Sequence, residues 1–140
     1  MTEGEGAAAV SDRALRDRGT WAENFPPIAT RRVDAGTMLL EFDPVAGLRN
    51  QYGALHGAFL SGIAEYCMGL AFLREEDPVS IVTVSLNIEF PAPGRMDRLV
   101  EGEVVVLRET GRMGFVRMTL VQDGAVILAG QGVARKVKAA

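Results

Sequence analysis

Between Phe59 and Leu73 the chain is almost wholly apolar, and Glu65 is the only ionisable residue before Arg74. Set out as a helix from Gly57, this stretch of about 17 residues would be roughly 25 Å long. Its apolar residues fall on every side, which predicts a buried helix at the centre of the fold. A lone carboxylate inside such a helix costs several kcal/mol unless it is compensated. Glu65 is therefore the first candidate for a functional residue.

The rest of the chain reads as strands. Residues 28–34 and 37–43 are two strands joined at Ala35-Gly36. After Asp77-Pro78 the pattern alternates. Val82, Val84, Leu86, Ile88 and Phe90 point one way, and Thr83, Ser85, Asn87 and Glu89 the other, until Pro91-Ala92-Pro93-Gly94 ends the strand. Strands over about 99–108, 112–122 and 125–136 follow, linked by Glu109-Thr110-Gly111 and by Asp123-Gly124, a type I′ turn signal. The order is two strands, a long helix and four antiparallel strands. One α+β domain results, its sheet wrapped around the helix. Residues 1–27 form an N-terminal arm, partly disordered, packed on domain 28–140 through Trp21 and Phe25. Thr20-Trp21-Ala22-Glu23 has capping-box spacing, but Pro26-Pro27 stops any helix. Because one sheet wraps only part way, the uncovered part of the helix calls for a second subunit.

Composition narrows the function classes. A net charge of −3 gives no field that would attract nucleic acid, and the basic end at Arg135, Lys136 and Lys138 reads as a solvated tail. One cysteine, Cys67, permits no internal disulfide, fits a cytoplasmic setting and reads as a buried hydrophobe. With a single histidine as well, no His/Cys metal cage is expected. The acidic N-terminus does not read as a signal peptide, and the apolar run is too short for a comfortable membrane span. A soluble protein without a cofactor is expected.

The loop Asn50-Gln51-Tyr52-Gly53-Ala54-Leu55-His56-Gly57-Ala58 leads into the helix. Gly57 and Ala58 offer backbone N–H groups at the positive end of the helix dipole, suited to an oxyanion developing on a carbonyl. His56 and Glu65, nine residues apart, would face opposite sides of a continuous helix about 13 Å apart. A shared site then has to be assembled across a two-fold interface, with the loop from one chain and the carboxylate from the other. Ser61, four residues before Glu65, is a possible hydrogen-bond partner for it.

The pattern Asn50-x5-His56-Gly57-x7-Glu65, followed by residues 81–94, Glu101-Gly102-Glu103, residues 108–111 and Asp123-Gly124, resembles the hot-dog-fold acyl-CoA thioesterases. Within them it is most similar to the phenylacetate-degradation (PaaI) type, related to the 4-hydroxybenzoyl-CoA thioesterases. The resemblance covers about residues 30–136. It implies that Glu65 attacks the thioester or activates a water, that the Gly57 amide polarises the carbonyl, and that Asn50 and Thr83 place the carbonyl or the water. His56 orients the loop or binds the thioester. Ala58 stands where the family usually has a second glycine, and Glu65 where many members have aspartate. An acyl-CoA substrate implies basic contacts, with Arg112 the first candidate and Arg74, Arg135 and Lys136 further ones. Tyr52, Phe59, Leu55 and Met68 are candidates for the acyl pocket. A homodimer assembling to a homotetramer is implied. The alternatives are a non-catalytic acyl-thioester or small-ligand binding protein, a hot-dog hydratase or dehydratase, and a structural dimerisation module.

Overall fold

The computed structural model describes residues 18–72 and 79–138. Strands β1 (Ala29–Asp34) and β2 (Thr37–Phe42) form a hairpin, and helix α1 (Gly57–Leu70) follows. Then come β3 (Val79–Glu89), β4 (Val100–Glu109), β5 (Met113–Gln122) and β6 (Ala125–Lys138). All six strands join one sheet in the order β1-β2-β4-β5-β6-β3, with every neighbouring pair antiparallel. This is the α+β hot-dog arrangement, and β1 and β3 are its edges.

Alternation along β2, β4 and β5 turns Met38, Leu40, Val100, Val104, Val116, Met118 and Leu120 toward α1. They enclose Ile63, Ala64 and Cys67, each fully buried. Burying a side chain of the Val, Leu or Ile kind contributes roughly 1.5–3 kcal/mol, so this face of the helix holds the domain together. The β5–β6 link is the expected type I′ turn, with φ of 48° at Asp123 and 80° at Gly124.

Helix α1 is shorter than the sequence implied. It ends at Leu70, where Ala71 is the C-cap, and the Arg32 guanidinium donates to the Ala71 carbonyl at 3.2 and 3.3 Å. That cation lies at the negative end of the helix dipole, where it is favoured. Leu73 and Arg74 lie outside the described residues.

The expectation of a helix buried on all sides is also corrected. Ala58 and Glu65 are exposed, and Ser61, Gly62 and Gly69 beside them are half-buried. The sheet covers one side of the helix only, so the opposite stripe of small residues meets solvent.

The alternation expected in β3 fails at one point. Thr83 pairs with Ala134 and Ser85 with Val133, leaving Val84 as a β-bulge. Ile81 faces the core before the bulge, and Leu86 and Ile88 after it. Val82 and Val84, expected on the apolar face, are instead 51% and 58% exposed. One extra residue exchanges the two faces of a strand.

Before β1, Trp21–Asn24 is a single 3-10 turn and not a capped helix: Thr20 makes no side-chain cap bond, and the Glu23 carboxylate accepts from the Gly19 N–H. Trp21 and Phe25 lie on α1. Residues 1–17 of the arm lie outside the described residues. The β3–β4 connection is pinned by buried Gln122, whose amide oxygen accepts from the Arg95 N–H at 2.7 Å while its nitrogen donates to the carbonyls of Arg95 and Arg98. In the same connection the hydrogen bond from Arg95 holds the Asp97 carboxyl below the usual carboxylate range.

Candidate active site

Two groups of the expected residues are each brought together. In the first, Thr83 Oγ1 donates a 2.6 Å hydrogen bond to Glu65 Oε1. This length is typical of a hydroxyl held on a carboxylate. The β3 bulge creates the contact, because it turns Thr83 toward the helix with Ile81. Ser61 is not the partner of Glu65; its hydroxyl donates to the Gly57 carbonyl at 2.8 Å, back along the helix.

The second group surrounds the start of α1. Asn50 Oδ1 accepts from the N–H groups of Tyr52 (2.9 Å) and Ala54 (3.0 Å), closing a tight loop in which Gly53 takes φ 82°. The Asn50 oxygen is therefore committed to the loop, and its Nδ2 amide is the part left to meet a ligand. His56 is the N-cap of α1, with Nδ1 accepting from the Ala58 N–H at 3.1 Å. That bond takes one of the two amides the sequence offered. The Gly57 N–H, unpaired among the described residues, remains at the positive end of the dipole.

The fold does not unite the groups within one chain. Gly57 and Glu65 lie eight residues apart on the same helix, about 12 Å along its axis. Within one chain the Glu65 carboxylate and the Gly57 N–H are therefore separate groups.

The remaining candidates are scattered. Tyr52 is 84% exposed at the loop tip, and Arg112 is exposed at the β4–β5 turn. Phe59 is no surface residue: it lies in the core, its ring 6.1 Å from Phe25 and 5.7 Å from Phe42. Six residues before Glu65, it points about 120° away around the helix. Arg135 is exposed, and Lys136 is occupied by Glu109 at 2.8 Å.

A narrow slot opens beneath Glu65 and Thr83, walled by Met68, Phe72, Leu86 and Val116. Its free volume is about 10 Å³, room for roughly one water. Phe72, which the sequence did not single out, lies two residues past the end of α1 and turns back under Glu65. Among the described residues no cluster of three His, Cys, Asp or Glu side chains is arranged to hold a metal ion.

A family model described as the thioesterase superfamily matches residues 52–129, more than half of the 140 residues. The chain belongs to the thioesterase superfamily. The match runs from the loop before α1 into β6 and so includes Gly57, Glu65 and Thr83. Solved structures of thioesterases share the fold of this superfamily member. Zebrafish thioesterase superfamily member 2 superimposes with a TM-score of 0.82 at 17% identity, over 93% of this chain and 96% of that one. The Mus musculus member 2 gives 0.75 at 16% identity, over 96% and 98%. A hypothetical thioesterase from Streptococcus pneumoniae, solved with coenzyme A, gives 0.74 at 15% identity, over 81% and 91%. No curated protein matches the chain. Among the described residues no helix is long and apolar enough to cross a membrane.

Proposed function

We propose that this superfamily member is a cytoplasmic acyl-CoA thioesterase of the PaaI type, hydrolysing a small or medium acyl- or aryl-CoA to the free acid and CoA. The observation that carries the reading is the hydroxyl-held carboxylate: Glu65, bonded to Thr83 at 2.6 Å, on the solvent-facing side of the helix. Glu65 acts as base or nucleophile at the thioester carbonyl carbon. As base it takes a proton from the attacking water; as nucleophile it forms an anhydride that water then opens. In both cases the C–S bond breaks and CoA leaves as its thiol. The Gly57 N–H receives the oxyanion, the Asn50 amide and Thr83 position the carbonyl or water, and His56 orients the loop through its cap.

The site is completed by a second copy. Strand β3 is a long edge with Val82 and Val84 exposed, a surface that lone domains avoid leaving bare. Pairing two such edges about a two-fold axis would bring the loop of one copy toward Glu65 of the other. A tetramer of such dimers is the assembly the resemblance implies.

The test is thiol release from acyl- and aryl-CoA esters by wild type beside Glu65→Gln, with the mass of each in solution. Turnover lost in the variant supports the mechanism; a wild type that binds acyl-CoA without releasing thiol is a binding protein. Val84→Lys is expected to shift the dimer toward monomer and to remove turnover with it. A monomeric wild type with full activity would sink the shared site.

A further inference from the structure

Trp21 is the only tryptophan of the chain, and it is 65% exposed. It is nevertheless held in place. Its ring stands edge-on to Phe25 (5.0 Å between centroids, 83° between planes), and Phe25 in turn packs on Phe59 and Tyr66 of α1 at 6.1 and 5.2 Å. The indole rests on Gly62, so close that a Cβ there would lie 2.7 Å from its Cη2. Gly62 stands three residues before Glu65, where helix neighbours are about 5–6 Å apart. The arm thus sets an exposed indole beside the carboxylate.

Three further observations give that placement a meaning. The outer face of α1 around Glu65 is floored by small residues, Ala58 and Ser61, with Gly62 beneath the indole at its edge. Thr83 stands at that floor bonded to Glu65, and Phe90 stands at its Gly57 end, its ring 3.6 Å from the Cβ position of Gly57. Inward the way is closed, since the slot beneath Glu65 has room for roughly one water. An acyl group larger than a methyl therefore lies outside the protomer core, along the floored face.

We infer that Trp21, carried by the N-terminal arm, is a wall of the acyl subsite and selects flat apolar acyl groups, aryl-bearing ones above all. Large, stiff aromatic walls favour such groups through area and ring geometry. This inference rests on the proposed thioesterase reading.

Because Trp21 is the sole tryptophan, its fluorescence reports the wall without turnover. The full-length Glu65→Gln protein is titrated with phenylacetyl-CoA, acetyl-CoA and free CoA. Saturable quenching by phenylacetyl-CoA well beyond that given by acetyl-CoA or CoA is expected. In parallel, Trp21→Ala is expected to lower the kcat/KM ratio of phenylacetyl-CoA over acetyl-CoA about tenfold, mainly through KM, with Trp21→Phe in between. Gly62→Ala, which displaces the indole without removing it, should move the ratio the same way. Equal quenching by all three compounds, or an unchanged ratio in active variants, overturns the inference and leaves the thioesterase reading intact. Thiol release absent from wild type overturns the thioesterase reading, and selective quenching would then still place the acyl group against Trp21. Fluorescence that changes only with protein concentration means a second copy covers the indole, and also overturns the inference.

Discussion

The two sides of helix α1 obey different rules. Toward the sheet, Ile63, Ala64 and Cys67 are fully buried among residues of four strands. Toward solvent, Ala58, Ser61, Gly62 and Gly69 leave the surface low, and Glu65 stands on it with Thr83 as its hydrogen-bond partner. One side contributes stability and has no chemistry. The other contributes little packing within the protomer and carries all the chemistry proposed. Stability and activity should therefore separate cleanly by helix face.

The largest effect that tests this division is on rate. Glu65→Gln should lower kcat by on the order of 10²–10⁴-fold, as removal of a base or nucleophile does, while the melting temperature stays near wild type. Equal losses of activity and stability would mean Glu65 serves the fold. On the opposite side, Ile63→Ala should cost about 2–5 kcal/mol in denaturant unfolding while kcat of the folded fraction is retained. Thr83→Val keeps the shape and removes the hydroxyl. Bonds to charged groups contribute roughly 1.5–3 kcal/mol, so kcat/KM should fall on the order of tenfold to a hundredfold. Thr83→Ser, which restores the hydroxyl, should recover most of the loss; no recovery would assign Thr83 to packing.

The smallest expected effect lies far from both faces. Asp97 has its carboxyl lowered by the Arg95 hydrogen bond, so its contribution to stability is present above the ordinary aspartate range and fades as pH falls through the lowered value. Asp97→Asn should therefore change the melting temperature slightly at neutral pH and not at all in strong acid. The pair is exposed, and such pairs contribute little.

How much of the site was legible can be judged at Thr83. Alternation along β3 put it with Ser85, Asn87 and Glu89, away from the apolar residues, whereas the family resemblance put it beside the acid. The bulge at Val84 reconciles the two, because the phase of the strand changes there. No local pattern announces such a bulge; it is set by how β3 pairs with β6. The same limit applies to Glu65, read as buried because its neighbours in sequence are apolar. Its exposure follows from the sheet covering only one side of the helix.

The elements and their order could be read from local patterns along the chain, and the hot-dog class from the family resemblance. Alternation, helical period, glycine turns and prolines are local properties that survive in any environment. Glu65 stood out as a lone carboxylate and Gly57 as a helix-start amide, whereas the roles of Asn50 and His56 came with the family resemblance. Folding had to be complete before it was settled that His56 caps the helix and takes the Ala58 amide, that Thr83 meets Glu65, that Phe59 belongs to the core, and that Trp21 rests on Gly62. Each of those depends on which surfaces meet across long stretches of chain. That is fixed by packing and strand register, and no window of sequence contains it.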